Sequence, residues 1–128
     1  MQISVKGVKW EVKVLTHSKY QDKCGPGSEG YIIYDSRLIY IDADFFNLST
    51  IRHELFHAYV YALHLSSAAT LSIDDFEEII ADMLGIHLQE YCDLANNILT
   101  TLGPEAKRKR TKRKRKPKAV PQTSVEEE

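Results

Sequence analysis

The stretch TIRHELFHAYVYALHL, residues 50–65, is apolar on nearly every side, which predicts a helix buried in the body of the protein. Within it, His53 and His57 are four residues apart, and Glu54 directly follows the first histidine. Four helical residues advance the chain by about 400°, so the two imidazoles face nearly the same way and can reach one ion. Because unpaired buried polar groups cost about 1–3 kcal/mol each, a metal would satisfy all three residues at once.

This HExxH arrangement supplies two metal ligands and, in Glu54, a general base beside the metal. Neutral imidazole and carboxylate are the usual ligands of Zn²⁺, so zinc is the expected cofactor. The alternative is that His53 and His57 are ordinary core or surface histidines, since an isolated match arises by chance in about one of every few hundred chains of this size.

A third ligand is expected on the next helix, in the stretch DDFEEIIADMLG of residues 74–85. Glu78 is the expected ligand and Glu77 its near alternative. Asp82 lies one helical turn after Glu78, where it can accept the outer N–H of a ligand imidazole. The competing interpretation is a solvated acidic face. The short link of residues 66–71 would return this helix beside the first.

The fold class is predicted to be α+β, with three or four mostly antiparallel strands packed on the HExxH helix and a second long helix. Alternation of apolar and charged residues in 8–14 indicates a strand, with a short hairpin partner at Ile3–Val5. Residues 31–42 predict two more strands around a turn at Asp35-Ser36. Residues 20–30, rich in Gly and Pro, predict a loop.

The second long helix is expected to start at Ser72, which precedes Asp75 in a capping-box-like pattern, and to end at Gly103-Pro104. Gly85 inside it predicts close packing or a kink.

The charge distribution predicts one domain over residues 1–104 and a disordered basic tail over 105–128. The first segment has 7 Lys and Arg against 14 Asp and Glu, whereas the second has 10 against 4. Dense like charge with few apolar groups does not support a packed core. Such a run can bind nucleic-acid phosphates, through Lys107, Arg108, Lys109, Arg110, Lys112, Arg113, Lys114, Arg115 and Lys116.

The motifs together resemble the gluzincin metallopeptidases, which carry HExxH on one helix and Glu-x-x-Ser/Ala-Asp on the next. Here these are His53–His57 and Glu78–Asp82, with Ala81 at the Ser/Ala position. The short chain with preceding strands is similar to the minimal ImmA/IrrE-like metallopeptidases of phages and mobile elements. The resemblance implies a zinc peptidase acting on a protein or peptide.

An extended substrate is expected along an edge strand, for which residues 38–42 are the candidate. Tyr40 and Tyr59 are candidate oxyanion donors, although packing is the more common role of such residues. The substrate is expected to be a nucleic-acid-associated protein if the tail binds nucleic acid. The alternative function is a non-catalytic zinc-containing binding module, nucleic-acid-associated or inhibitory, directed by the tail.

The cellular compartment is expected to be the cytoplasm. The start of the chain has no apolar signal region, no segment approaches a membrane span, and two cysteines are too few for a disulfide framework.

Overall fold

The computed structural model describes residues 1–63 and 72–112 and shows an α+β architecture. The predicted link, residues 66–71, and the tail from Arg113 onwards lie outside the described residues. The elements along the chain are β1 (Gln2–Val5), β2 (Val8–Leu15), α1 (His17–Cys24), β3 (Gly30–Ile33), β4 (Leu38–Asp42), a 3₁₀ helix (Ala43–Phe45), α2 (Leu48–Leu63), α3 (Ile73–Asp82), a π-helical segment (Met83–His87) and α4 (Leu88–Lys109).

The four strands form one mixed sheet in the order β1-β2-β4-β3. The β1–β2 and β3–β4 pairs are antiparallel, as predicted for two hairpins, but β2 and β4 pair in parallel. The prediction of a mostly antiparallel sheet was therefore wrong. A parallel pair needs a crossover connection, and α1 with β3 forms it here.

The crossover contains a helix where the sequence predicted only a loop. Helix α1 occupies residues 17–24, with the Thr16 side chain accepting the Lys19 N–H at its start and Gly25 at its end. Tyr20 is fully buried, and its hydroxyl pairs with Ser28 at 2.7 Å. This one buried aromatic residue anchors a helix whose other residues are polar, which is why apolar periodicity did not reveal it.

The open edge of the sheet near α2 is β3, and not β4 as predicted. Strand β4 has β2 on one side and β3 on the other, and its residues 39–42 are buried. Residues 30–33 of β3 are half-buried or exposed. The more apolar strand takes the interior position because it loses more water-exposed area there.

Helix α2 packs its buried side on the sheet, as expected for an apolar helix. Its buried residues include Ile51, Leu55, Ala58 and Tyr59, which belong to the same core as the inward-facing residues of β2 and β4. Asn47 accepts the Thr50 N–H at 2.9 Å and caps the helix start. Among residues 1–63 and 72–112, no helix combines the length and apolar character that crossing a membrane requires.

The second long helix is interrupted and ends later than predicted. The π-helical segment around Gly85 separates α3 from α4, and α4 continues through Pro104 to Lys109. A helical proline costs about 3 kcal/mol or more. The contacts that offset it lie further on: Ala106 is fully buried, Lys109 Nζ donates to Val14 O at 2.8 Å, and Arg110 donates to Phe46 O at 3.3 Å.

The expectation of disorder from residue 105 was therefore wrong for residues 105–112. Thr111 extends the docking, since its N–H and hydroxyl both bind the Asp44 carboxylate at 2.7 Å. Lys109 and Arg110 are engaged with backbone carbonyls, whereas Lys107, Arg108 and Lys112 remain exposed.

Ending the chain at the predicted domain boundary should destabilise the protein. The free energy of unfolding of a chain that ends at residue 104 should be lower by at least about 2 kcal/mol than that of a chain that ends at residue 112. The shorter chain loses the buried Ala106 and several hydrogen bonds. Urea unfolding of both chains measures the difference. Equal unfolding midpoints would mean that the last helical turn contributes nothing.

Candidate metal centre and catalytic site

The two motif histidines meet on the accessible side of α2. Their Nε2 atoms are 3.3 Å apart and their ring centroids 5.0 Å apart. Two tetrahedral ligands at about 2.0–2.1 Å from one ion would lie about 3.4 Å from each other. The spacing of His53 and His57 therefore fits two zinc ligands. Burial, together with nearby His53, lowers the pKa of His57, which favours the neutral form that a metal needs.

Glu54 lies on the side of α2 that faces the sheet. Its side chain is only 5% exposed. Burial raises the pKa of the Glu54 carboxyl, and His53 opposes this shift. A buried carboxylate with a raised pKa is a stronger proton acceptor than an ordinary surface glutamate, which suits a general base.

The Glu54 carboxyl group lies directly against the backbone of Gly30. A Cβ atom at residue 30 would approach Glu54 Cγ to 2.6 Å and Oε1 to 2.9 Å. Real Cβ atoms do not approach so closely, so a glycine is required for α2 and β3 to come together here. The first residue of the edge strand is thereby fixed beside Glu54.

The outer edge of β3 runs past this contact. The Asp42 N–H donates to Glu29 O at 3.0 Å, and Gly30 pairs with Ile41 and Ile32 with Ile39. Backbone hydrogen bonds to the neighbouring strand alternate along an antiparallel ladder. Because Glu29 is bonded to β4, the backbone N–H and C=O groups of Tyr31 also face β4, whereas those of Gly30 and Ile32 point outward. The outward groups form a short open edge that begins beside Glu54.

Three depressions adjoin His53. The first, about 380 Å³, is also lined by Ser28, Glu29 and Glu54. The second, about 390 Å³, runs along β3 past Tyr31 and Tyr34 to His57. The third, about 490 Å³, lies between α2 and α4 and includes Arg52, Phe56 and Tyr91. His53 and His57 therefore line a surface that is accessible from the edge strand.

The predicted third ligand is placed apart from the histidine pair. Glu78, Glu77 and Asp82 are all exposed on α3. Among the described residues, one group of three ligand-type side chains has all its ligand atoms within 4.8 Å of one another. This group is His17, Asp42 and Asp44. Glu78 does not join His53 and His57 at that distance.

The two predicted oxyanion donors lie in the interior. Tyr40 is 7% exposed, and its ring faces Lys23 Nζ at 5.5 Å from the centroid. Tyr59 is fully buried and packs against Tyr91 and His87. Neither lines any of the three depressions, whereas Tyr31 and Tyr34 line the second. The place of Tyr31 on the edge strand, and of Tyr34 directly after it, would have identified them, had that edge been assigned correctly.

Sequence reasoning also missed the cluster around Asp42. His17 Nδ1 lies 2.6 Å from Asp42 Oδ2 and 3.9 Å from Asp44 Oδ2, and Asp42 is fully buried. Asp44 in turn holds Thr111. A nitrogen–oxygen distance of 2.6 Å is that of a short charge-assisted hydrogen bond, so this cluster reads as an ion pair that joins α1, β4 and the C-terminal segment. His17 and Thr111 are far in sequence from Asp42 and Asp44, so no local spacing pattern reveals the cluster.

No protein family model, curated protein or solved structure matches this chain.

The Gly30 contact predicts a position-specific alanine effect. Gly30→Ala should lower the free energy of unfolding by about 1–3 kcal/mol, the usual cost of overpacking, because Glu54 must move. Gly103→Ala is the matched control: its Cβ would meet nothing within 4 Å, and alanine in a helix should stabilise by about 0.5–1 kcal/mol. Urea unfolding measures both, and effects of the same sign would refute the contact.

The His17 ion pair predicts a pH dependence of stability. The hydrogen bond to Asp42, with the charges of Asp42 and Asp44, raises the pKa of His17 against the opposing effect of burial. The stabilisation is therefore complete below the unfolded pKa of about 6.5 and is lost as pH rises through the folded value.

The stability difference between the wild type and His17→Asn should shrink as pH rises from about 6 to about 9. Thermal unfolding across that range measures it. A constant difference at every pH would show that the charge on His17 contributes nothing.

Proposed function

We propose that the protein is a zinc-dependent peptidase. The observation that carries this proposal is the pair of Nε2 atoms 3.3 Å apart on α2, directly beside the buried carboxyl of Glu54. His53 and His57 would hold the ion together with a carboxylate from α3, for which the sequence offers Glu78 or Glu77. A structural site needs no base and usually closes its fourth position with Cys or His, so a buried acid here favours catalysis.

The chemistry divides between the ion and Glu54. Zinc, when bound, lowers the pKa of water towards about 7 and polarises a carbonyl. The Glu54 carboxylate accepts a proton from the attacking water, whose oxygen bonds to the scissile carbonyl carbon. Glu54 then gives that proton to the amide nitrogen as the C–N bond breaks, so one carboxyl group serves both steps. Because the pKa of Glu54 is raised, its carboxylate accepts the proton more readily in the first step, and the resulting carboxyl group can still donate it in the second.

The substrate is an extended peptide segment lying along β3. The outward backbone groups of Gly30 and Ile32 can pair with such a segment, as in other cases of strand addition to a sheet edge. This pairing places the peptide beside Glu54, because Gly30 touches that side chain. Tyr31 and Tyr34 would flank the substrate.

Tyr34 is the candidate oxyanion donor in place of Tyr40 and Tyr59. It lines the depression that contains His57, and its ring is held against Trp10 and Tyr61. Burial, and secondarily Glu54, raise the pKa of Tyr34, so its hydroxyl remains protonated and able to donate.

Glu54→Gln should separate catalysis from metal binding. The variant should bind zinc as the wild type does and lose about 10²–10⁴-fold or more in kcat/KM, the usual contribution of a general base. The assay uses zinc-loaded protein with a library of fluorogenic peptides, and zinc content is measured by elemental analysis.

Glu90→Gln is the matched control, since this exposed carboxylate pairs with Lys6 and lines none of the three depressions. It should keep full activity. Wild-type cleavage rates in Glu54→Gln would refute the assignment of the base, and a wild-type protein that binds no zinc would refute the proposed function.

A further inference from the structure

A polar depression lies between α2 and the loop that leads into β3. It is the first of the three depressions that adjoin His53, and its volume is about 380 Å³. Its lining includes two carboxyl groups and three hydroxyl groups, and none of the described residues that line it is a lysine or an arginine. The carboxyl groups are those of Glu29 and Glu54. This composition suits a positively charged ligand.

Glu29 is held in place through both its backbone and its side chain. The Thr50 hydroxyl donates to Glu29 Oε2 at 3.1 Å, and Thr50 is only 5% exposed. The Glu29 carbonyl accepts the Asp42 N–H at 3.0 Å. Its neighbour Ser28 is fixed by a hydroxyl contact of 2.7 Å to the buried Tyr20. A buried hydroxyl therefore orients an exposed carboxylate, whose other oxygen, Oε1, accepts no hydrogen bond from the described residues.

The Glu54 carboxyl group lies on the buried side of the same depression. The side chain is 5% exposed, and no group in residues 1–63 and 72–112 donates a hydrogen bond to its oxygens. Nearly all buried polar groups in folded proteins have a hydrogen-bond partner. An unpaired buried carboxyl group that lines a cavity therefore indicates a ligand that the cavity receives.

A strand added to the edge of β3 would direct one side chain towards this depression. A Cβ atom at Gly30 would meet Glu54, so the side-chain face of Gly30 is the face covered by α2. Residues directly opposite each other in paired strands place their side chains on the same face of the sheet. The substrate residue that pairs with Gly30 therefore points its side chain towards α2, and Gly30 has no side chain of its own to fill that space.

We propose that this depression is the subsite for a lysine or arginine side chain of the substrate, and that Glu29 binds its positive charge. The inference rests on the proposed function for the position of the peptide along β3. The aliphatic stem of the side chain passes Gly30, and its charged group reaches Glu29 Oε1. Glu29 is then the residue that determines specificity, and basic peptide segments are the preferred substrates.

The position of the depression favours a side chain over the amino group at the start of a peptide. The backbone of an added strand, and with it a terminal amine, lies in the plane of the sheet, whereas the depression lies on the face covered by α2. A long side chain extends out of that plane and reaches the carboxylate.

The charges elsewhere in the protein are compatible with a cation at Glu29. His57 lines the second and third depressions but not the first, so an ion held by both imidazoles lies to one side of this subsite. Residues 1–104 carry 7 Lys and Arg against 14 Asp and Glu. Such an excess of negative charge speeds the approach of a basic segment, most strongly at low salt.

The first test measures binding and does not depend on cleavage. Full-length protein, incubated with zinc, is mixed with a pentapeptide that is acetylated at its N-terminus, carries a fluorophore at its C-terminus and has lysine at its centre. The matched peptide has norleucine there, which lacks only the ammonium group. Fluorescence anisotropy directly after mixing should show at least about tenfold tighter binding of the lysine peptide, the usual value of a charge-assisted hydrogen bond.

Variants of Glu29 test the assignment of the partner. Glu29→Gln should lose the lysine preference, and Glu29→Arg should instead prefer a peptide with glutamate at the centre, because the charge of the subsite is reversed. Glu90→Gln is the matched control and should keep the lysine preference of the wild type. This reversal also separates recognition from damage to the fold, since an unfolded variant would bind none of the peptides.

The second test uses cleavage of the same peptides, followed by chromatography. The wild type should show at least about tenfold higher kcat/KM for the lysine peptide than for the norleucine peptide, with the difference mainly in KM, and Glu29→Gln should remove this difference. A lysine preference in binding by a protein that cleaves none of the peptides would reject the proposed peptidase and leave the subsite in place.

Three results would overturn the inference. The first is equal affinity of the wild type for the lysine and norleucine peptides. The second is a lysine preference that persists in Glu29→Gln, which would place the partner of the cation elsewhere. The third is tighter binding of a norleucine peptide with a free N-terminus than of either acetylated peptide, which would assign the depression to a terminal amine.

Discussion

The direct contact between a buried carboxyl group and a backbone without a side chain is the constraint on which the site depends. Glu54 cannot be buried without a neighbour that leaves it room, and Gly30 provides that room. The contact fixes the rotation of α2 about its own axis. Once Glu54 faces the sheet, helical geometry turns His53 and His57 towards the accessible side, and the outer edge of β3 passes beside them. The strand edge and the paired imidazoles therefore lie on either side of one close approach.

Local patterns in the sequence were sufficient to predict the parts of the fold that depend on near neighbours. The β1–β2 hairpin, the turn at Asp35-Ser36 and the helix of residues 48–63 were all confirmed, because each has a period or a turn signal within a few residues. The spacing of His53 and His57 likewise predicted that their rings would converge, and the Nε2 atoms are 3.3 Å apart.

The predictions that were wrong depended on contacts between distant parts of the chain. The parallel pairing of β2 with β4 needs a crossover connection. The helix in this crossover is anchored by a single buried tyrosine, Tyr20, so the sequence shows no apolar periodicity that would predict the helix. Pro104 is a strong local stop signal, yet α4 passes it because residues beyond it bind Val14 and Phe46. The edge strand was misassigned for the same reason, since strand order is a property of the whole sheet. The carboxylate on α3 remains a prediction, because two adjacent glutamates differ only in which face of a helix they occupy.

The end of α4 has a consequence for how the protein is made. Lys109, Arg110 and Thr111 bind Val14, Phe46 and Asp44, so residues near the C-terminal end of the described chain complete the packing around strands synthesised long before. On the ribosome, the sheet and α2 emerge while these partners are still inside the exit tunnel. The nascent chain must therefore keep an uncovered apolar core from aggregating until the end of α4 has left the tunnel. Emergence of residues 109–111, and not emergence of α2, is then the event that permits cooperative folding.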